Sequence, residues 1–411
     1  MGTSVIHIKT ELECKVFLFD EEKGIVTPGK YFNLEVRKGE QDLLFVSTAD
    51  NSLRYRLLYL IKESDTDYHI TINESMYKMI TEFPDNEIKD GFYDEKNVLY
   101  SCDGIYLIRC DNNDIEKYVI KPTCKVICDY AFSKCKSLST VTLPEGLTHI
   151  GNMAFNDCGA LLNISFPNSL QYIGNEAFCG CFSLKEVHLP INLNHIGNQS
   201  FCYCRNLTHI NIPNNLKHIG DEAFAKTGIK DIECDSYQFL YVNSCLIDKK
   251  DMKVIACFSD ASDVKLISGI TIIGKSAFWG CEITNITIPQ GVTHIDDSAF
   301  EFCKELSEII LPDSLISIGS DSFSGCYKLS EIKLPASLTS IGNGAFSVKV
   351  HISSGLRSRY SALFNDKGVK DGEPLVFEPL SHIYIPRGTK TKFEHLLPNT
   401  LYSKLFEIDY V

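Results

Sequence analysis

The sequence has no stretch of about 18 consecutive apolar residues, so no segment has the hydropathy of a transmembrane helix. Its first residues, Met1 to Glu11, lack both the basic region and the apolar core of a signal peptide. As encoded, the chain is therefore predicted to be cytoplasmic. A cell-surface or secreted location is the alternative if the sequence is a trimmed form.

Positive charge is scarce, because 40 lysines and arginines stand against 53 aspartates and glutamates, for a net charge of -13. Phosphate backbones repel an acidic chain, so nucleic acid is excluded as an expected partner. No segment is low-complexity, and an apolar fraction of 44% is enough for a packed core.

Catalytic signatures are missing as well. The sequence contains no nucleophile triad, no Gly-rich phosphate loop and no H-E-x-x-H motif. Aspartates and histidines fall at repeated positions instead of gathering on one loop. The sequence therefore predicts neither an enzyme nor a cofactor.

An internal repeat dominates the sequence. The pattern P-x-x-L-x-x-I-G-x-x-A-F-x-x-C-x-x-L-x-x-I-x-L begins at Pro144 and returns along the chain. Most copies are 23 residues apart, which lies in the range of leucine-rich repeats. The phenylalanine of the pattern occurs nine times, at Phe132, Phe155, Phe178, Phe201, Phe224, Phe278, Phe300, Phe323 and Phe346.

Each repeat predicts one coil of a solenoid. Apolar and polar residues alternate before Pro144, which indicates a short strand that the proline ends. We expect Gly151 to permit a tight bend, and Ala154 and Phe155 to begin a short helical or turn segment. One coil cannot bury its own apolar edge, so coils stack and their strands pair in parallel.

The chain divides into five predicted parts. Residues 1–75 alternate in hydropathy between turn signals, which indicates a small all-β sandwich, and residues 76–91 form a connector. Residues 92–232 and 233–350 are each a hairpin followed by coils, since Phe92 and Leu99 recur 147 residues later as Phe239 and Leu246. Residues 351–411 break the repeat and are predicted to form a C-terminal cap. The predicted fold is a leucine-rich-repeat solenoid, with a strand and a short helix or turn per coil, after an all-β sandwich.

Seven of the 17 cysteines share one position of the repeat, three residues after the phenylalanine. We expect packing thiols there, because neighbouring coils hold Cβ atoms about 4.8 Å apart, beyond disulfide separation. This column consists of Cys135, Cys158, Cys181, Cys204, Cys281, Cys303 and Cys326.

A sharper cysteine cluster consists of Cys179, Cys181, Cys202 and Cys204 on neighbouring coils. Four thiolates could bind zinc. Residues two apart on a tight turn diverge, however, so Cys181 and Cys204 should face inward while Cys179 and Cys202 are exposed. The sequence therefore predicts no metal site.

A second column stands just before the inward isoleucine. His195 and His218 are expected on adjacent coils and could share a weakly bound metal. The favoured interpretation is that the column occupies exposed strand positions, which accept any polar residue. The column consists of His149, Tyr172, His195, His218 and His294.

The outward strand positions are the candidate binding site. They form a polar ladder with an acidic bias, which would suit a basic or polar protein surface, although a merely solvated face is equally compatible. We expect a monomer that binds a protein partner. The ladder residues are Thr140, Asn163, Glu186, His188, His209, Asn211, Asp231, Asn285, Glu308 and Glu331.

The repeat motif resembles the BspA-type leucine-rich repeats of gut and oral bacteria and some parasitic protists. The resemblance is carried by segments such as Ile173-Gly174-Asn175-Glu176-Ala177-Phe178 and covers roughly residues 92–411. It implies a non-enzymatic role in protein binding or adhesion, with a bacterial cell-surface adhesin or glycan-binding protein as the alternative. The N-terminal part more weakly resembles PEGA-type β-domains, around Thr27-Pro28 and Leu34 to Glu40.

Overall fold

The computed structural model describes residues 4–19, 21–37, 39–48, 53–61, 67–72, 78–79, 91–258, 262–346, 349–350, 375–376 and 380–409. Residues 80–90 of the predicted connector and most of residues 351–379 of the predicted cap therefore lie outside the described residues. In the part of the chain that is described, no helix has the length and hydropathy needed to cross a membrane.

The N-terminal region is all-β, as predicted. Two sheets form, with strand orders β4-β1-β7 and β3-β2-β5-β6-β8. Alternating side chains such as Ile6, Val16 and Phe45 are fully buried in one apolar cluster. Strand β8 pairs with β6, so this sheet extends into the predicted connector. The strands are β1 Ser4–Thr10, β2 Cys14–Leu18, β3 Glu21–Val26, β4 Phe32–Val36, β5 Gly39–Ser47, β6 Leu53–Ile61, β7 Asp67–Ile72 and β8 Lys78–Met79.

The first block begins with a hairpin and continues as a solenoid. Each coil supplies one short strand before the glycine, and most supply a second strand carrying the predicted ladder. The strands are β9 Phe92–Tyr93, β10 Val98–Tyr100, β11 Tyr106–Cys110, β12 Lys117–Val119, β13 Val126–Ile127, β14 Thr140–Thr142, β15 His149–Ile150, β16 Tyr172–Ile173, β17 Glu186–Val187, β18 His195–Ile196, β19 His209–Ile212, β20 His218–Ile219 and β21 Asp231–Cys234.

The second block repeats this plan. Its strands are β22 Phe239–Val242, β23 Cys245–Asp248, β24 Lys253–Cys257, β25 Ile272–Ile273, β26 Asn285–Thr287, β27 His294–Ile295, β28 Glu308–Ile310, β29 Ser317–Ile318, β30 Glu331–Lys333 and β31 Ser340–Ile341. The segments that follow are β32 Lys349–Val350, β33 Leu375–Val376, β34 His382–Pro386, helix α1 Lys390–Leu396, a 3₁₀ helix Asn399–Lys404 and β35 Leu405–Ile408.

Two rows of strands run along the blocks, in which the strands of the coils pair in parallel and those of the two hairpins pair antiparallel. The strands that precede the repeat glycines form what is called here the glycine-side sheet. Its order is β20-β18-β16-β15-β13-β11-β10-β9 in the first block and β22-β23-β24-β25-β27-β29-β31 in the second. The ladder sheet pairs β12 with β14, β17-β19-β21, β26 with β28, and β30 with β34. Strand β35 extends the last group, and Phe393 of α1 is buried in the same core as the coils of the second block.

The phenylalanines line up in a file inside the solenoid, as the stacking of coils predicts. Phe155, Phe178 and Phe201 are fully buried, and successive ring centroids lie 5.2 and 5.3 Å apart in nearly parallel planes. The file resumes in the second block, where Phe300 and Phe323 stack at 5.4 Å. The far side of each coil between residues 91 and 346 is a turn, not a helix.

The repeat glycines have a role besides the expected one. Like Gly151, Gly174 does not adopt a positive φ, so the bend does not depend on the conformational freedom of glycine. A Cβ there would lie only 2.7 Å from the backbone of the previous coil. The glycine therefore permits close approach of coils, and beside it the Asn152 side chain accepts a hydrogen bond from the Asn175 N–H at 2.8 Å.

A row of asparagine and aspartate side chains, here called the asparagine chain, runs along the coils of the first block from Asp129 to Asp221. The side-chain oxygen of each of its first four members accepts a hydrogen bond from the backbone N–H of the next member, one coil later, over 2.6 to 2.9 Å. These bonds satisfy donors that the short strands leave unpaired. The chain consists of Asp129, Asn152, Asn175, Asn198 and Asp221.

The second hairpin separates the two cores and contributes to both. Leu246 and Ala256, which pair across it, pack into the core of the first block. Ile247 and Val254, the next pair, pack into the core of the second block. Strand alternation thus gives the hairpin two buried faces.

Candidate functional site

The predicted ladder forms a continuous register on the first block. Thr140 pairs with Asn163, Asn163 with Glu186, Glu186 with His209, and His209 with Asp231. Each outward residue is fixed by its inward neighbours, such as Val141, Val187 and Ile210, which are buried in the core. The backbone register of the ladder is therefore the one expected from the repeat.

Exposure differs among the ladder residues. Thr140, Asn163, Glu186, His188 and His209 are exposed. Asn211 is half-buried, and its side chain is bonded to the backbone N–H and carbonyl of Leu189, at 2.7 and 2.9 Å. Asn211 thus ties two coils together and offers little to a partner. The side chain of Asp231 lies outside the described residues.

The ladder continues on the second block. Asn285 pairs with Glu308, and both are exposed, as is Glu331. Glu331 pairs with His382 of β34, whose Nδ1 lies 3.5 Å from its carboxylate. The acidic bias predicted from the sequence is thus displayed on one exposed face.

The histidine column on the glycine-side sheet is more ordered than a set of solvated positions. The rings of Tyr172 and His195 stack with centroids 4.5 Å apart, and those of His195 and His218 at 4.6 Å. His149 extends the stack at 5.4 Å from Tyr172. The rings shield one another, and Tyr172 and His195 are half-buried in consequence.

This stack has a consequence for pH stability. Burial, with the neighbouring His218, lowers the pKa of His195 to about 4. As the pH falls, the His195 ring is therefore protonated at about pH 6.5 in the unfolded chain but only at about pH 4 in the folded chain. This contribution to stability is fully present above about pH 6.5 and is lost as the pH falls through that window.

We expect the free energy of unfolding to fall more between about pH 7 and pH 5 in the natural protein than in the variant His195→Phe. Phenylalanine keeps a ring in the stack but cannot be protonated. Urea unfolding at the two pH values measures the difference. Equal losses in both proteins would contradict the assignment.

The four-cysteine cluster splits between two environments, as predicted, but one detail was wrong. Cys181 and Cys204 are buried in the main core. Cys179 and Cys202 lie on the opposite side of the coil but are not exposed, since both are only 3% accessible. They pack with Tyr203 and Ala225 in a separate apolar cluster, against which the half-buried Phe182 packs. In the described residues, no group of three or more His, Cys, Asp or Glu side chains is arranged for a metal.

The junction of the two blocks combines charge and aromatic contacts. Asp221 ends the asparagine chain, and its carboxylate is bound by Lys253 at 2.8 Å. Lys253 also lies 3.5 Å from Asp296 and so bridges the blocks. Lys226 stands 4.5 Å from the ring centroids of both Tyr203 and Trp279. Sequence inspection missed this junction because its members come from distant coils.

Comparison with known proteins agrees with the repeat. The sequence model described as "BspA type Leucine rich repeat region" matches residues 106–239 and 255–368 in six copies, more than half of the chain. No curated protein matches the sequence significantly.

Among solved structures, the pneumococcal vaccine antigen PcpA is similar over 90% of this chain and 96% of its own, with 18% identity and a TM-score of 0.53. A leucine-rich cell surface protein from Faecalibacterium prausnitzii A2-165 matches over 65% of this chain and 86% of its own, with 22% identity and a TM-score of 0.49. The similarity to PcpA supports the solenoid fold. From its repeat and the extent of the family match, the chain belongs to the BspA-type leucine-rich repeat family.

Proposed function

We propose that the protein is a non-enzymatic scaffold that binds a protein partner through the ladder face. The observation that carries the proposal is the in-register row of exposed outward side chains from Thr140 to His209 on the first block, which Asn285 and Glu308 repeat on the second block. Rigid presentation lowers the entropy cost of binding, because the ladder backbone is already ordered before a partner arrives. Solenoids commonly use such extended surfaces for recognition.

The partner surface is expected to be basic or polar. Glu186 and Glu308 are exposed at equivalent ladder positions of the two blocks, and Glu331 is one coil beyond Glu308. Charge complementarity would orient a partner and raise its association rate. Membership of the BspA-type family supports this role, since the resemblance implies protein binding or adhesion.

The double variant Glu186→Lys/Glu308→Lys tests the proposal. In a quantitative pull-down from source-cell extract, we expect this variant to retain about tenfold less of the partner than the natural protein does, or even less. Glu145→Lys/Asp313→Lys is the matched control, because both residues are exposed and lie in turns that follow a coil's proline. If the ladder variant retains as much partner as the natural protein does, the ladder face is not the binding surface. Binding to a glycan array without any protein partner would favour the adhesin alternative.

A further inference from the structure

The last strand of the first hairpin ends at a cysteine that touches the first coil. The N–H of Cys110 donates to the carbonyl of Ala131 at 2.7 Å. This bond holds the end of β11 beside the turn that carries Cys135, the first thiol of the inward column. Neither residue forms a disulfide, and Cys135 is fully buried whereas Cys110 is half-buried.

Cys110 packs against the apolar core that contains Cys135, and the two thiols are chemically unequal. Hydrogen bonding with Cys135 is the main cause that lowers the pKa of Cys110, and the same interaction raises the pKa of Cys135. The Cys110 thiol also donates to the carbonyl of Asn112 at 3.4 Å. A half-buried thiol of lowered pKa beside a fully buried one resembles the arrangement of attacking and resolving cysteines.

The second block repeats this arrangement independently. The N–H of Cys257, at the end of β24, donates to the carbonyl of Ala277 at 2.6 Å. The Cys281 thiol is 3.7 Å from the carbonyl of Cys257, and a hydrogen bond between the two thiols raises the pKa of Cys281. Both cysteines line a cleft of about 210 Å³ between the blocks, together with Trp279.

The thiols within the column behave differently. Cys158 and Cys181 are fully buried, and each donates to a phenylalanine carbonyl on the previous coil, at 3.1 and 3.2 Å. Each is thus engaged with the backbone, as expected of packing thiols. The contact between two thiols that recurs in both blocks joins the end of the hairpin to the first coil, through Cys110 and Cys135 in one block and Cys257 and Cys281 in the other.

We propose that Cys110 and Cys135 are a dithiol modification site that a small-molecule disulfide oxidises, so that a disulfide staples the hairpin to the first coil. The Cys110 thiolate attacks one sulfur of the oxidant and displaces a thiolate. Cys135 then gives up its proton, attacks the Cys110 sulfur of this mixed disulfide, and displaces the second thiolate. One protein disulfide forms, the oxidant is reduced to two thiols, and the two protein protons go to the two leaving thiolates.

The first block gives the cleaner test of this proposal. In the second hairpin, Cys245 pairs in register with Cys257, so Cys257 has two neighbouring thiols. The equivalent partner of Cys110 is Val98, which cannot compete.

The experiment treats the folded full-length chain with oxidised glutathione, alkylates the remaining thiols and maps them by peptide mass spectrometry. We expect a peptide cross-linked through Cys110 and Cys135, with the loss of both alkylation sites. Cys102 is exposed and serves as an internal reference for reaction with the oxidant. Persistence of both thiols under conditions that glutathionylate Cys102 would overturn the proposal.

Two variants separate the roles of the pair. In Cys135→Ala, the reaction is expected to stop at a glutathione adduct on Cys110. In the matched control Cys181→Ala, which removes a column thiol, the cross-link is expected to form as in the natural protein. A stable adduct on Cys110 in the natural protein, with Cys135 still alkylated, would also refute the staple. If Cys135→Ala fails to fold, the mapping of the natural protein decides alone.

Discussion

Replacing Phe178 with alanine is expected to lower the free energy of unfolding by about 3–5 kcal/mol. The ring is fully buried between Phe155 and Phe201, and Phe166 contacts it edge-on at 5.6 Å. Truncation would leave a cavity facing two coils, which the paired strands on either side prevent from collapsing. Denaturant unfolding followed by circular dichroism measures the change.

The control for this prediction is Leu162→Ala. Leu162 belongs to the same solenoid but is 42% exposed, so its truncation removes little buried surface. We expect its effect to be under about 1 kcal/mol. If Phe178→Ala were no more destabilising than Leu162→Ala, the phenylalanine file would not be a main source of stability.

Replacing Gly174 with alanine is expected to lower the free energy of unfolding by about 3 kcal/mol. The added Cβ would lie 2.7 Å from the Asn152 nitrogen and from the Gly151 carbonyl carbon. Both are backbone atoms, so no side-chain rotation relieves the clash. The coils would have to separate, which would lengthen the hydrogen bond between Asn152 and Asn175. Thermal and denaturant unfolding both report the loss.

Gly146→Ala is the matched control. Gly146 lies on the same solenoid without a positive φ, and its Cβ would have only the Pro122 carbonyl at 4.0 Å. A neutral or slightly stabilising effect is expected, because alanine restricts the unfolded chain. Equal stability of Gly174→Ala and the natural protein would contradict the close-approach role of the glycine.

The strands and the core could be predicted because they depend on periodicity alone. Alternation in Thr140 to Leu143 fixes which side chains face inward, and the 23-residue spacing of Phe132 and Phe155 fixes which of them meet. For the same reason, the ladder register was predictable before the structure was known. These features need no knowledge of individual contacts between coils.

Features that depend on contacts between particular coils were not predictable. The asparagine chain requires knowing that the side chain of Asn152 reaches the N–H of Asn175, one coil later. The covering of Cys179 and Cys202 depends on Tyr203, which the repeat pattern leaves unspecified. The bonding of Asn211 to Leu189 likewise removes one member from the candidate site.

The second hairpin, with one face in each core, suggests how such a protein changes length during evolution. A hairpin of this kind ends one set of coils and starts another. Each of its two buried faces can therefore pack against a unit made of a hairpin and its coils. Duplication of a unit bounded by such hairpins, like the one that runs from Phe92 to Phe239, would lengthen the molecule without exposing either interior. Growth in whole modules therefore requires no redesign of existing packing, whereas gain or loss of a partial coil would interrupt the file of rings.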